Sequence, residues 1–295
     1  MAAAGGGSLA SAPMSIKRVG IVGSGIMGSG IAQVAATAGY EVVLRSRKQE
    51  TADATVASME KSLGRLVDKG RMEADERDAI VARVTPVADL HKLADCDLVV
   101  ESVVEDLATK QELFNELDKV VKDGAILATN TSTLPVVEMA IETHRPELVC
   151  GIHFFNPAPM MKLVEVVRPL TASDETIAEA KAFAEACGKD AVEVKDQAGF
   201  IVNALLFPYL NNAVRLLEGG VATAEDIDSA MKGGCNFPMG PLALLDLVGL
   251  DTSLSILDAL YDEFRDPNYA AVPRLRRMVA AGHLGRKSGQ GFYSY

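Results

Sequence analysis

Short apolar runs alternate with longer stretches of helical spacing over the first two-thirds of the chain. Residues 16–22 form an apolar run interrupted only by Lys17 and Arg18, and it breaks at Gly23-Ser24-Gly25-Ile26-Met27-Gly28. Residues 29–38, rich in Ala, Ile and Val, have helical spacing and stop at Gly39; residues 41–44 are a second β-branched run. Strand, tight turn, helix and strand make one βαβ unit. Residues 51–69 and 73–83 predict helices of mixed charge, 84–86 a short strand and 97–100 another. Residues 108–121 put Leu113, Phe114, Leu117 and Val120 on one helical face, and 125–128, 149–154 and 163–167 continue the strand series. This alternation predicts an α/β fold with a doubly wound, mostly parallel sheet covered on both faces.

Near residue 195 the pattern changes. Residues 200–217 are long, apolar and helical, ending at Gly219-Gly220; Thr223-Ala224-Glu225-Asp226 resembles a capping box that opens 227–232. Helices are predicted over 241–248, 252–264 and 274–281, with no strand pattern before Tyr295. The expected organisation is a flexible tail (1–14), a dinucleotide-binding domain (15–194) and an all-helical substrate and dimerisation domain (195–295).

Composition narrows the function classes. With 48% hydrophobic and 23% charged positions in 295 residues, the chain can bury a sizeable core. Its net charge of -11 argues against nucleic acid or an anionic membrane as main partner, so a phosphate-bearing ligand must be held by local devices. The four cysteines, Cys96, Cys150, Cys187 and Cys235, have no metal-ligand spacing and read as idle thiols of a reducing cytoplasm; no metal is expected. The Ala/Gly/Ser-rich start lacks a basic region and a long apolar core, so it reads as neither a signal nor a transit peptide. No run of apolar residues reaches membrane-spanning length.

The glycine turn carries the first specific chemistry. Placed between a strand and a helix, it is the Rossmann-type dinucleotide fingerprint: Gly23 for the tight turn, Gly25 for close approach of the pyrophosphate, Gly28 for helix–strand packing. Ile26 and Met27 lie in the same loop, and the helix start offers N–H groups to phosphate. At the end of the second strand, where an NAD-binding unit usually has Asp or Glu, the chain reads Arg45-Ser46-Arg47. Ser46 can hydrogen-bond a 2′-phosphate and the two arginines can pair with it, which favours NADP(H). A solvated basic patch with NAD(H) as the partner is the alternative.

His153, in Gly151-Ile152-His153-Phe154-Phe155-Asn156-Pro157, stands in a strand-like run, with Glu165 in the next one. Imidazole suits proton transfer near neutral pH, and a carboxylate on its far nitrogen fixes the tautomer and stabilises the imidazolium. By itself, a histidine in an apolar strand is more often a hydrogen-bonded core residue.

Taken in order, the glycine loop, Asn130-Thr131-Ser132, His153 to Pro157, Glu165 and Gly199-Phe200-Ile201-Val202-Asn203 make the chain resemble the 3-hydroxyacyl-CoA dehydrogenase family, closest to its stand-alone 3-hydroxybutyryl-CoA dehydrogenases. The likeness runs from Ile16 to Tyr295. It implies reversible hydride transfer between NADP(H) or NAD(H) and (S)-3-hydroxybutyryl-CoA/acetoacetyl-CoA. In that reading His153 exchanges the hydroxyl proton, Glu165 orients it, and Ser132 and Asn203 hydrogen-bond the substrate oxygen. Glu105, Lys110, Ser132, Asn156 and Lys287 match cofactor-contacting positions, and Ser62 and Lys69 match positions that contact CoA. A strand-end carboxylate and surface lysines are the plainer readings of Glu105, Lys110 and Lys287, as a solvated helix face is of Ser62 and Lys69. The family implies a homodimer. Ser46 replaces the acidic ribose-binding residue common in the family, Ala198 stands where Pro is frequent, and Ala204 where Arg is. Two rivals remain: a dehydrogenase of a free 3-hydroxy acid, and a non-catalytic NADP-binding regulator.

Overall fold

A computed structural model describes residues 16–295; the expected tail over 1–14 lies outside the described residues. Two compact units emerge. One runs to Thr131 and resumes over Val136–Lys195, and the other comprises Ser132–Pro135 and Asp196–Tyr295.

In the first unit β1 (Arg18–Val22), α1 (Ile26–Thr37) and β2 (Glu41–Arg45) form the opening βαβ unit. Then come α2 (Gln49–Asp68), α3 (Ala74–Ala82), β3 (Val84–Val87), β4 (Leu98–Glu101) and α4 (Leu107–Val120). After β5 (Ile126–Thr129) and the short α5 (Val136–Ala140) the chain enters β6 (Val149–Phe154) and β7 (Leu163–Arg168), then α6 (Asp174–Ala186) and β8 (Asp190–Lys195). The eight strands lie in the order β3-β2-β1-β4-β5-β6-β7-β8. All neighbours are parallel except β6 and β7. The order reverses between β1 and β4, so the carboxyl ends of those two strands open the crevice where open α/β sheets bind ligands.

Burial explains why these segments read as continuous apolar runs. Val19, Ile21, Val100, Ile126, Ala128 and Ile152 are fully buried in one cluster with Ile31 and Ala35 of α1. A central parallel strand faces helices on both sides, so it needs apolar residues at successive positions rather than alternation. Each such Ile or Leu contributes roughly 1.5–3 kcal/mol relative to exposure. Pro86 is tolerated because β3 is an edge strand with no further ladder to supply. Three elements of this unit go unmarked in the sequence reading: α5, α6 and β8. Every residue of β8 is at least partly exposed, as befits the opposite edge.

In the second unit α7 (Val202–Glu218), α8 (Ala224–Cys235), α9 (Pro241–Val248), α10 (Leu250–Phe264) and α11 (Pro273–Ala280) pack around Phe207, Leu210, Val214, Leu242, Leu245, Leu257 and Leu260. Thr223 caps α8, its Oγ1 accepting from the Asp226 N–H at 3.2 Å. Two buried carboxylates close the far end. Asp228 accepts from the N–H groups of Leu242 and Ala243 at 2.8 and 2.9 Å and from the Tyr293 hydroxyl at 2.9 Å. Asp246 accepts from the N–H groups of Phe292 and Tyr293, both at 2.9 Å, and from the Tyr295 hydroxyl at 3.1 Å. Among the described residues of this unit there is no strand, only isolated bridges at Gly285–Gln290 and Gln290–Ser294.

Candidate functional site

The glycine turn sits where β1 hands the chain to α1. Gly23 has φ +120°, and a Cβ there would lie 2.2 Å from the Ser102 carbonyl oxygen; a Cβ on Gly28 would lie 1.9 Å from the Gly23 oxygen. Both must be glycine for the protein's own packing. Gly25 is different: a Cβ there would meet nothing within 4 Å. The absent side chain leaves open space at the helix start, as close approach by a pyrophosphate requires. Gly25 is also the N-cap of α1, with no side-chain cap and no acidic residue in the first turn. The helix therefore presents uncapped N–H groups and the positive end of its dipole. Ile26, next in the loop, is largely exposed, and Met27 is half-buried. These features fit a dinucleotide, which Gly23, Gly25 and the first turn of α1 would hold.

The end of β2 lies against this turn. The Gly23 N–H donates to the Arg45 carbonyl at 3.0 Å. The Ser24 hydroxyl donates to Ser46 Oγ at 2.9 Å, and Ser46 is buried. Arg45 donates from Nε to the Ala88 carbonyl at 3.2 Å, whereas Arg47 and Lys48 are exposed. No carboxylate occurs from Arg45 to Lys48, and the first one in α2 is Glu50.

The antiparallel seam of the sheet builds the proton-handling pair. β6 and β7 pair in a register that sets His153 directly opposite Glu165. Residues opposed in this way project to the same face with neighbouring Cβ atoms. The twelve-residue separation of the two is thus the length of a hairpin. His153 Nδ1 lies 2.8 Å from Glu165 Oε2. His153 is 5% exposed and Glu165 1%. Phe155 packs on the imidazole with ring centroids 4.5 Å apart. A carboxylate at Nδ1 fixes that nitrogen as the protonated one, so proton exchange with a substrate falls to Nε2. Cys150, three residues earlier in β6, is no nucleophile, because complete burial pushes its thiol up to about 12.

At the carboxyl ends of β4 and β5 stands a polar cluster that sequence reasoning located only in part. Glu105 and Lys110 are in it, but Lys110 is not a surface lysine: it is 1% exposed, and its ammonium donates to both Glu101 oxygens at 2.7 and 2.8 Å. It also lies 3.3 Å from Glu105. Glu101, Thr129 and Thr131 complete the cluster and were not singled out as site residues. The signal was a carboxylate closing an otherwise apolar four-residue strand, Leu98–Glu101, nine residues before Lys110. Asn130 Oδ1 accepts from the Phe154 N–H at 2.8 Å, tying the end of β5 to the strand of His153.

The remaining candidates lie on other segments. Asn156 is exposed in the β6–β7 loop, where it precedes the cis Pro157. Ser62 and Lys69, seven residues apart and hence on one helical face, are both exposed. Ser132, Asn203 and Lys287 belong to the second unit. Ser132 is half-buried, Asn203 near the start of α7 is buried, and the Lys287 ammonium lies 2.6 Å from Asp251. Among the described residues no group of His, Cys, Asp and Glu could hold a metal ion.

The family model described as 3-hydroxyacyl-CoA dehydrogenase, NAD binding domain, matches residues 18–197, and the one described as the C-terminal domain of the same enzyme matches residues 199–295. A 3-hydroxybutyryl-CoA dehydrogenase of Mycobacterium tuberculosis is 49% identical over 282 residues, covering 95% of this chain and 99% of that protein. A probable 3-hydroxybutyryl-CoA dehydrogenase of Bacillus subtilis is 46% identical over 282 residues, with 96% and 98% covered. The crystal structure of (S)-3-hydroxybutyryl-CoA dehydrogenase PaaH1 from Ralstonia eutropha superposes with a TM-score of 0.93 at 42% identity, covering 95% of this chain and 99% of that one.

Proposed function

The chain belongs to the 3-hydroxyacyl-CoA dehydrogenase family, and we propose that it interconverts (S)-3-hydroxybutyryl-CoA and acetoacetyl-CoA with NADP(H) as its preferred cofactor. It is an oxidoreductase of the CH–OH group with a nicotinamide cofactor. The observation that carries the substrate chemistry is the His153–Glu165 pair, a buried imidazole whose Nδ1 is held by a buried carboxylate.

When bound, the nicotinamide supplies a two-electron acceptor or donor for hydride. The chain's own residues do the rest. In the oxidative direction His153 Nε2 takes the hydroxyl proton as the C3–H bond breaks, leaving a carbonyl; in reduction the same nitrogen returns the proton. Glu165 orients the ring and stabilises the imidazolium formed in between. Ser132 and Asn203 hydrogen-bond the substrate oxygen, so that C3 is held in line for transfer. Ser62 and Lys69 contact the CoA moiety, and Glu105, Lys110, Asn156 and Lys287 serve the cofactor. Residues 15–194 bind the dinucleotide, and 195–295 serve substrate and dimerisation.

The cofactor preference rests on Ser46. A carboxylate at this place would repel a 2′-phosphate, whereas a serine against the glycine turn, followed by exposed Arg47 and Lys48, attracts one. Steady-state kcat/KM for NADPH and NADH with acetoacetyl-CoA decides the matter: NADPH should be preferred, and Ser46→Asp should reverse the preference. A wild-type preference for NADH would overturn it. Free acetoacetate, assayed alongside, should not be reduced.

We read the assembly as a homodimer. Leu205 and Leu216 lie eleven residues apart on one face of α7, 72% and 47% exposed, with Leu247 also exposed on α9. Sedimentation at micromolar concentration should give twice the chain mass, and Leu205→Glu should halve it. The proposed compartment is the cytoplasm; among the described residues no helix is long and apolar enough to cross a membrane.

A further inference from the structure

Glu101 is the deepest charged group of the first unit, at 0% exposure, and its carboxylate has every direction filled. Oε1 accepts from the Val103 N–H at 2.6 Å and from Lys110 at 2.7 Å; Oε2 accepts from Lys110 at 2.8 Å and from the Thr129 hydroxyl at 2.7 Å. From there the bonds close on themselves. Thr129 Oγ1 accepts from the Thr131 N–H at 3.2 Å, Thr131 Oγ1 donates to Glu105 at 2.5 Å, and Glu105 faces Lys110. Glu101, Thr129, Thr131, Glu105 and Lys110 therefore form a ring across the ends of β4 and β5.

A buried ion pair is poor evidence for stability, because desolvation offsets most of the attraction and apolar replacements of similar volume are often neutral or better. Its better-attested use is to hold a register. Here the register concerns three segments. The loop after β4 is pinned through Val103, and its Ser102 carbonyl is what a side chain at Gly23 would strike, so this loop forms the wall of the glycine turn. The loop after β5 is pinned through Thr129, Thr131 and the Asn130 N–H, which donates to the Glu101 carbonyl at 2.8 Å. Asn130 in turn holds the Phe154 N–H, next to His153. The carboxylate thus reaches the wall of the cofactor turn and the segment leading into Ser132, while the Glu101 carbonyl, through Asn130, reaches the strand of the proton-handling histidine.

We propose that Glu101 is a positioning residue for hydride transfer: its charge on Lys110 and its bond to Thr129 set the β4 and β5 loops against the nucleotide turn. The inference rests on the dehydrogenase reading above. It differs from a packing role in a measurable way. A misplacement near 1 Å costs about 10²-fold in turnover while leaving remote substrate contacts intact.

The test uses Glu101→Gln, which keeps the shape and removes the charge, and Thr129→Val, which cuts the ring without touching a charge. Turnover of acetoacetyl-CoA with NADPH, KM for acetoacetyl-CoA, NADPH affinity by fluorescence titration and thermal unfolding are read on the full chain. Glu101→Gln should lose about 10²-fold in kcat and Thr129→Val about tenfold, with KM for acetoacetyl-CoA moving less than about threefold. NADPH affinity should weaken in both, and the double variant should be no worse than Glu101→Gln alone, as members of one network behave. A folded Glu101→Gln with kcat within about twofold of wild type, or losses that appear equally in KM, would overturn the proposal. Should Glu101→Gln fail to fold, Thr129→Val decides by the same outcomes. Failure of the wild type to reduce acetoacetyl-CoA would sink the dehydrogenase reading alone; NADPH affinity of the variants, measured without acyl-CoA, would still decide the ring.

Discussion

Each unit of this protein buries carboxylates, but they are bonded to different things. In the first, Glu165 and Glu101 hold ionisable side chains, an imidazole and an ammonium, with a single backbone N–H in addition on Glu101. In the second, Asp228 and Asp246 hold mostly backbone, four N–H groups between them, with two tyrosine hydroxyls in addition. A carboxylate that accepts from backbone N–H groups replaces a missing turn or cap, and nothing about it need change during a catalytic cycle. One that holds an ionisable side chain also sets where a charge can appear. On the proposed function, equal burial, 1% for Glu165 and for Asp246, serves chemistry in one unit and architecture in the other. Proximity to a strand end separates the two cases, since the carboxyl ends of the strands are where this sheet type meets its ligands.

The sharpest test of this contrast is at His153. Substitution by Ala should cut kcat by about 10²–10⁴-fold, the usual yield of a positioned acid–base group, while cofactor binding stays. Turnover within about tenfold of wild type would remove His153 from proton transfer. Glu165→Gln should cost less, about 10²-fold, because the imidazole keeps its contacts yet loses the charge that balances its protonated form. If instead Glu165→Gln lowered the unfolding temperature and spared kcat, Glu165 would join the architectural class.

Asp246→Ala should do the reverse. Three donors lose their acceptor, at about 1–3 kcal/mol for each that stays buried, and the end of the chain can swing into solvent to recover part of it. A loss of about 3 kcal/mol, read as a lower unfolding temperature by calorimetry, is expected, with kcat at saturating cofactor unchanged. Loss of kcat without loss of stability would break this division.

Much of the contrast is legible in the sequence, and the remainder has physical causes. The doubly buried strands β1, β4, β5 and β6 announce themselves because each writes a mainly apolar run. β8, Asp-Ala-Val-Glu-Val-Lys, does not, since an edge strand carries charges at intervals. α6 is faint for another reason: much of its buried face is alanine, with Ala180 and Ala184 beside Ile177 and Phe183, so its periodic signal is weak. The glycine turn is legible because its residues answer to backbone geometry. His153 and Glu165 are visible as candidates, but their bond depends on an antiparallel register that only the pairing of β6 with β7 reveals. Lys110 marks the limit. A lysine in an amphipathic helix reads as solvent-facing, and its burial follows from Glu101, a tertiary partner.

The smallest effect expected concerns the carboxylates that brace the first unit away from the site. Asp118 accepts from the His144 N–H at 3.0 Å, lies 2.8 Å from His144 Nδ1 and accepts from Arg145 Nε at 2.7 Å. Burial raises the affinity of this carboxylate for a proton, but the bonds from His144 and Arg145 and the guanidinium charge outweigh it, leaving the carboxyl below its ordinary value. Asp97 behaves alike: burial is again overcome, here by Lys122 and by the N–H groups of Arg18 and Lys17. For a group whose folded value is depressed, the stabilisation is complete above the unfolded value, near 3.9, and is lost as pH falls through the folded one. Wild-type protein should therefore lose stability from about pH 4 downward. Asp118→Asn should be less stable at pH 7, by about 1 kcal/mol, and should show a shallower decline on acidification. Urea titrations at pH 7 and pH 3 would check it. Equal slopes for the two proteins would mean that Asp118 belongs with the carboxylates whose partners, not whose charge, matter.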